Sequence, residues 1–92
     1  MHRFRITVEP ISEEHSSKEA LHFEVTNHDD ILAIVSRRPS RFGLAEDETK
    51  AMMVGLKLLS EVVLKHRTRE PFSELRTALR EFTLRLKGEQ DS

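Results

Sequence analysis

The run Ala51-Met52-Met53-Val54-Gly55-Leu56-Lys57-Leu58-Leu59-Ser60-Glu61-Val62-Val63-Leu64 limits most sharply what this chain can fold into. Wound at about 100° per residue, it is apolar around about two thirds of its circumference. Lys50, Lys57, Glu61 and Lys65 form its polar stripe, and their four-residue spacing allows pairing along it. A surface helix needs a narrower apolar face. This helix therefore has to be covered on several sides, by the rest of the chain and by a second copy of it.

Ninety-two residues suit one domain with marginal burial, for which oligomerisation is a source of added stability. The expected boundaries are residues 1–88 for that domain and 89–92 for a frayed tail. Charged residues are 34% and apolar residues 37%, a globular mixture. A net charge of −1 argues against a general nucleic-acid or membrane-surface binder. Without cysteine there is no thiol chemistry and no cysteine-ligated zinc. The opening residues carry no apolar signal segment, and no run approaches a membrane span. The expected setting is the cytoplasm.

Phe4, Ile6 and Val8 alternate with Arg5, Thr7 and Glu9, and Pro10 ends that strand. Leu21, Phe23 and Val25 alternate with His22, Glu24 and Thr26 in a second strand. The polar segment between them reads as a hairpin loop. On the outer face, Arg3 and Arg5 should lie near Glu24 and His22. The inner face of both strands needs a helical lid, and the outer edges are unpaired unless something covers or extends them.

Asn27 reads as the N-cap of a short helix, with Asp29 and Asp30 at its positive end. Ile31, Leu32, Ile34 and Val35 follow, and Pro39 is the stop; the β-branched content leaves a strand reading open. Glu46, Asp47 and Glu48 open the long helix, which runs to about His66. Gly55 in its middle predicts close approach by another element. Pro71 suits a first helical position. Phe72, Leu75, Leu79, Phe82 and Leu86 then form one apolar seam on a last helix that Gly88 ends. The expected fold is α+β: a two-stranded antiparallel β-hairpin followed by three helices, with a long central helix.

Three segments carry a resemblance. They are His2-Arg3-Phe4-Arg5-Ile6-Thr7-Val8, Phe23-Glu24-Val25-Thr26-Asn27-His28-Asp29-Asp30-Ile31-Leu32 and Val54 to Lys65. Together they resemble a family of small bacterial proteins catalogued as a domain of unknown function, over nearly the whole chain. The resemblance implies a bacterial protein that is usually the entire gene product. It brings no activity, cofactor or catalytic residue onto these positions.

His28-Asp29-Asp30 has the residue types of a divalent-metal site, but of the later residues only His66 is a histidine, and capping explains the acids. His2 and His22 on adjacent strands read as exposed strand residues rather than a zinc pair. Ser16-Ser17 beside His15 lacks the context of a catalytic nucleophile. Catalytic, cofactor-binding and metal-binding residues are therefore expected to be absent. Arg37, Arg38 and Arg41 cluster around Pro39 and can meet an anion or pair internally with Glu46, Asp47 and Glu48. Arg76, Arg80 and Lys87 share a flank of the last helix, with Arg67 and Arg69 ahead of it. The surplus apolar arc runs from Leu58 and Val62 on one flank of the long helix to Met53 and Leu64 on the other, and is the candidate interface.

The expected function is a non-catalytic, homodimeric protein-interaction or regulatory module, self-associating and open to another protein. The alternative is a weak binder of an anionic ligand or nucleic acid through Arg37, Arg38, Arg41, Arg76 and Arg80. Nucleic acid and membrane are not the expected partners.

Overall fold

The computed structural model describes residues 1–11, 19–37 and 40–89. Among these, two strands precede three helices: β1 (His2–Val8), β2 (Leu21–Asn27), α1 (Ile31–Arg37), α2 (Glu46–Lys65) and α3 (Phe72–Glu89). This is the α+β order that the patterning predicts. The loop residues His15, Ser16 and Ser17, together with Arg38, Pro39 and residues 90–92, lie outside the described residues.

The strands pair antiparallel, with Phe4 opposite Val25, Ile6 opposite Phe23 and Val8 opposite Leu21. A period of two therefore puts all six apolar side chains on one face. On the other face Glu24 takes both arginines, at 2.6 Å from Arg3 and 3.6 Å from Arg5. Thr7 Oγ1 lies 3.1 Å from His22 Nδ1 beside them. These contacts are exposed and worth a few tenths of a kcal/mol each, up to about 1 kcal/mol.

The helical lid over the apolar face is incomplete. Phe4, Ile6 and Val25 are half-buried, but toward the hairpin loop Val8 is 57%, Leu21 59% and Phe23 40% exposed. The core is helical instead: Met53, Leu56 and Leu86 are buried, packed by Ile34, Val35, Met52, Leu79 and Phe82. The Cα radius of gyration is 15.2 Å. A compact chain of this length has about 12 Å.

The strand-to-helix junction differs from its sequence reading. Asn27 ends β2 instead of capping α1. Its side chain is buried, donating from Nδ2 to the Lys57 carbonyl at 3.0 Å and accepting from the Asp29 amide at 2.9 Å. Asp30 takes the cap position, its Oδ1 accepting from the Ala33 amide at 3.3 Å. Asp and Asn are near-equal caps, so the local sequence could not separate them.

In α2 the acids Glu46, Asp47 and Glu48 occupy the first turn, and Glu48 Oε1 accepts from the Ala45 amide at 3.3 Å. The polar stripe is not what it appears in sequence. Glu61 is buried and Lys57 half-buried, and both reach across to the junction rather than along the helix. Gly55 is exposed, and a Cβ there would meet nothing within 4 Å, so it serves no close approach. Gly43 does need its freedom: it sits at φ +73° in the tight turn closed by the Leu44 amide on the Arg41 carbonyl.

After α2, a short turn over residues 66–71 reverses the chain. His66 meets Phe72 at 5.6 Å between ring centroids, while Leu86 reaches back to Met53 and Leu56. Helices α2 and α3 thus run antiparallel. Pro71 stands just ahead of α3 rather than in its first position, and the helix continues through Gly88 to Glu89.

Candidate functional site

Of the three residues with metal-site chemistry, His28 and Asp29 stay close, with His28 Nε2 3.7 Å from Asp29 Oδ1, and each also reaches to α2, while Asp30 turns to α1. His28 turns to α2, where its Nδ1 lies 2.7 Å from Glu61 Oε1, and its own amide donates to the same oxygen at 3.2 Å. Asp29 Oδ2 accepts from Lys57 Nζ at 3.0 Å. Asp30 caps α1. Burial on its own would raise the Glu61 carboxyl, but hydrogen bonds from the His28 side chain and amide, with the nearby His28 and Lys65 charges, bring it below its ordinary value. Asp29 follows the same balance: burial raises it, and Lys57 pulls it below its ordinary value through a hydrogen bond and charge. Among the described residues, no hydrogen bond joins the His28 ring to Ser60, the hydroxyl next to Glu61 in sequence. The cluster is a polar latch between the β2–α1 junction and α2.

The four candidate interface residues do not form one patch. Met53 is in the core. Leu58 and Val62 face the hairpin, lining with Val25 a hollow of about 330 Å³ that Arg3, Glu24 and Lys65 border. Leu64 lies on the α3 side. At 100° per residue, positions 58 and 62 are 40° apart, whereas 64 stands about 160° away from 62.

The candidate anion contacts also divide. Arg41 is only 5% exposed; its Nη1 donates weakly to the Leu86 carbonyl at 3.5 Å and its amide to Thr49 Oγ1 at 3.1 Å. It is a packing residue beneath the end of α3. Arg37 is exposed and borders a cleft of about 600 Å³ among the three helices, with Lys87. Arg76 and Arg80 are exposed on α3 and border a second groove, of about 440 Å³, between α2 and α3. His28, Ser60, Thr83 and Lys87 line both spaces, so the cleft and the groove adjoin.

That groove combines two features which the sequence presented separately. Its floor is aliphatic, from buried Val63 and half-buried Leu79, with Leu64 and Leu84 exposed along its sides. Its rim is cationic, from Arg76, Arg80 and Lys87. Among the described residues, none of Arg37, Arg76, Arg80 or Lys87 has a carboxylate within 4.0 Å. Leu84 is the residue that sequence reasoning missed. It stands off the seam of Leu79, Phe82 and Leu86, four residues beyond Arg80 and eight beyond Arg76. A leucine on a basic flank was the available signal.

No curated protein matches the chain. A solved structure does: a protein of unknown function from the bacterium Pectobacterium atrosepticum SCRI1043 superposes with a TM-score of 0.81 at 32% identity, over 95% of this chain and 97% of that one. The sequence model of a family described as a domain of unknown function, DUF3861, matches residues 2–88. With that match over nearly all of its length, the chain belongs to the DUF3861 family.

Proposed function

We propose that this protein is a non-catalytic, homodimeric protein-interaction module of the cytoplasm, and that the second copy covers the hairpin. The observation that carries this reading is the half-bare apolar face of the hairpin, where Val8, Leu21 and Phe23 remain exposed. A two-stranded hairpin is marginal in water without cover for that face. Both of its edges are also free to pair among the described residues. Leu58 and Val62 of α2 add apolar surface beside Val25, in a hollow that Arg3, Glu24 and Thr26 border. A second copy presents the same surface, as two-fold association requires. The chain's excess radius of gyration fits a protomer whose hairpin reaches out to a partner. His28, Asp29 and Asp30 are each held by a structural partner, Glu61, Lys57 and the Ala33 amide, which supports the non-catalytic part. Among the described residues, no helix is long and apolar enough to cross a membrane.

Light scattering over a dilution series tests the reading. The expected mass is that of two chains, falling to one chain in Phe23→Glu and in Val62→Glu. Both side chains are partly exposed in the protomer, so the variants should keep their helical circular dichroism. A wild-type monomer at every concentration overturns the proposal. So does a dimer that neither substitution weakens.

A further inference from the structure

The α2–α3 groove is an interaction surface in its own right, on the opposite flank of α2 from the hairpin hollow. Resting on the reading of the chain as a binding module, we propose that this groove receives an acidic amphipathic helix of another protein. Its apolar residues would lie on Val63, Leu64, Leu79 and Leu84, and its carboxylates would face Arg76, Arg80 and Lys87.

Three observations select that occupant. First, the floor is aliphatic and shallow, with Leu64 and Leu84 standing exposed along its sides. A helix presenting apolar residues at i, i+3, i+4 and i+7 fills such a groove between two other helices. Second, the rim has one sign. Among the described residues no carboxylate lies within 4.0 Å of the arginines or the lysine, and Asp29, across the adjoining cleft from Lys87, is the acid nearest that end of the rim, in a chain whose net charge is −1. The cationic rim is therefore local and available to complementary charge, with Arg67 extending it past Arg76 and Glu81 as the acid beside it. Third, the length fits. A rise of about 1.5 Å per residue sets Arg76 and Lys87 about 17 Å apart along α3, which is about three turns of an opposing helix. Single-stranded nucleic acid fits less well, because no phenylalanine lines the groove for a base to stack on and the His28 ring is held by Glu61.

The probe is a synthetic amphipathic peptide of about 16 residues, with leucine on one face and glutamate on the flanks, titrated by fluorescence anisotropy. The expected result is saturable binding to the wild-type protein that weakens at least about tenfold between low salt and about 0.5 M NaCl. The double variant Arg76→Glu/Arg80→Glu should weaken it by at least about tenfold, and Leu84→Ser by a smaller factor. All three positions are exposed, so retained helical circular dichroism separates loss of binding from loss of fold. Peptides with the flanks changed to lysine, or with the leucine periodicity scrambled, should not bind. Absence of saturable binding overturns the proposal, as does equal binding of the lysine peptide. Binding of a single-stranded oligonucleotide in preference to the peptide overturns it in favour of nucleic acid. The dimer reading is judged separately, by the mass of the protein before peptide is added. A monomer that binds peptide overturns the dimer alone, and a dimer that ignores peptide overturns the groove alone.

Discussion

His28 Nδ1 lies 2.7 Å from Glu61 Oε1, and this contact closes 33 residues of sequence. A carboxylate can only accept, so the proton between them sits on the ring nitrogen. Glu61 is 6% exposed, and its Oε1 also takes the His28 amide. His28→Ala should therefore leave a buried carboxylate with one donor fewer, at a cost of about 2 kcal/mol in urea unfolding. Glu61→Ala should orphan the ring and the amide together. Coupling of about 1 kcal/mol or more is expected from the full double-mutant cycle. Additive effects would mean that the latch contributes nothing as a pair.

The same latch makes the fold acid-sensitive. Glu61 and Asp29 are both held below their ordinary values of 4.5 and 3.8. Above about pH 5 each is charged in the folded and the unfolded chain, and its contribution is complete. As the pH falls through those ordinary values, the unfolded chain takes up protons first. Stability is then lost until the pH passes below the lowered folded values. The unfolding midpoint in urea should fall steadily from about pH 5 to about pH 3, and the Asp29→Asn/Glu61→Gln double variant should show a shallower fall. A slope that the double variant leaves unchanged would place the acid sensitivity elsewhere.

Asn27 is the tertiary counterpart of that latch. It is 1% exposed, and it joins the end of β2 to α2 through the Lys57 carbonyl. Asn27→Leu keeps the volume but removes the bond to the Asp29 amide as well. The expected loss is about 2 to 3 kcal/mol, since the buried amide and carbonyl lose their partner. Asn27→Asp should retain the contact with the Asp29 amide but set a buried carboxylate oxygen against the Lys57 carbonyl, so it should cost at least as much. A cost for Asn27→Asp well below that of Asn27→Leu would show that the donor to the Lys57 carbonyl carries little weight.

The elements were legible because each has a local cause. Alternation at Phe4, Ile6 and Val8, acids at Glu46 to Glu48, and the seam of Leu79, Phe82 and Leu86 each depend on neighbours within a few residues. What stayed hidden depends on contacts that local periodicity does not carry. Lys57 and Glu61 belong to the polar stripe of α2 by angle, and only the arrival of His28 and Asp29 from the β2–α1 junction covers them. Arg41 sits in a charged connector, yet it is buried under the carbonyl of Leu86, 45 residues away. Met53 and Leu64 share a flank by the helical wheel, but they lie about three turns apart along the axis, and α1 and α3 converge on Met53 while Leu64 opens to the groove. The groove likewise needed the antiparallel return of α3 to bring Arg76 and Arg80 beside Leu64.

Gly55 gives the last test, because sequence and structure point in different directions. Glycine inside a long helix reads as a point of close packing, and there Ala would clash. In the structure the position is exposed, and an added Cβ meets nothing within 4 Å. Glycine then contributes only its backbone entropy to the unfolded chain, which costs the helix about 1 kcal/mol relative to alanine. Gly55→Ala should therefore raise the unfolding free energy by about 1 kcal/mol, seen as a higher urea midpoint with an unchanged slope. Gly55 precedes Leu58 and Val62 by three and seven residues and so shares their flank of α2, which places the added methyl of the assembled protein beside the second copy. A stable but monomeric Gly55→Ala protein would extend the dimer seam along that flank as far as Gly55, and an unweakened dimer would end the seam short of it.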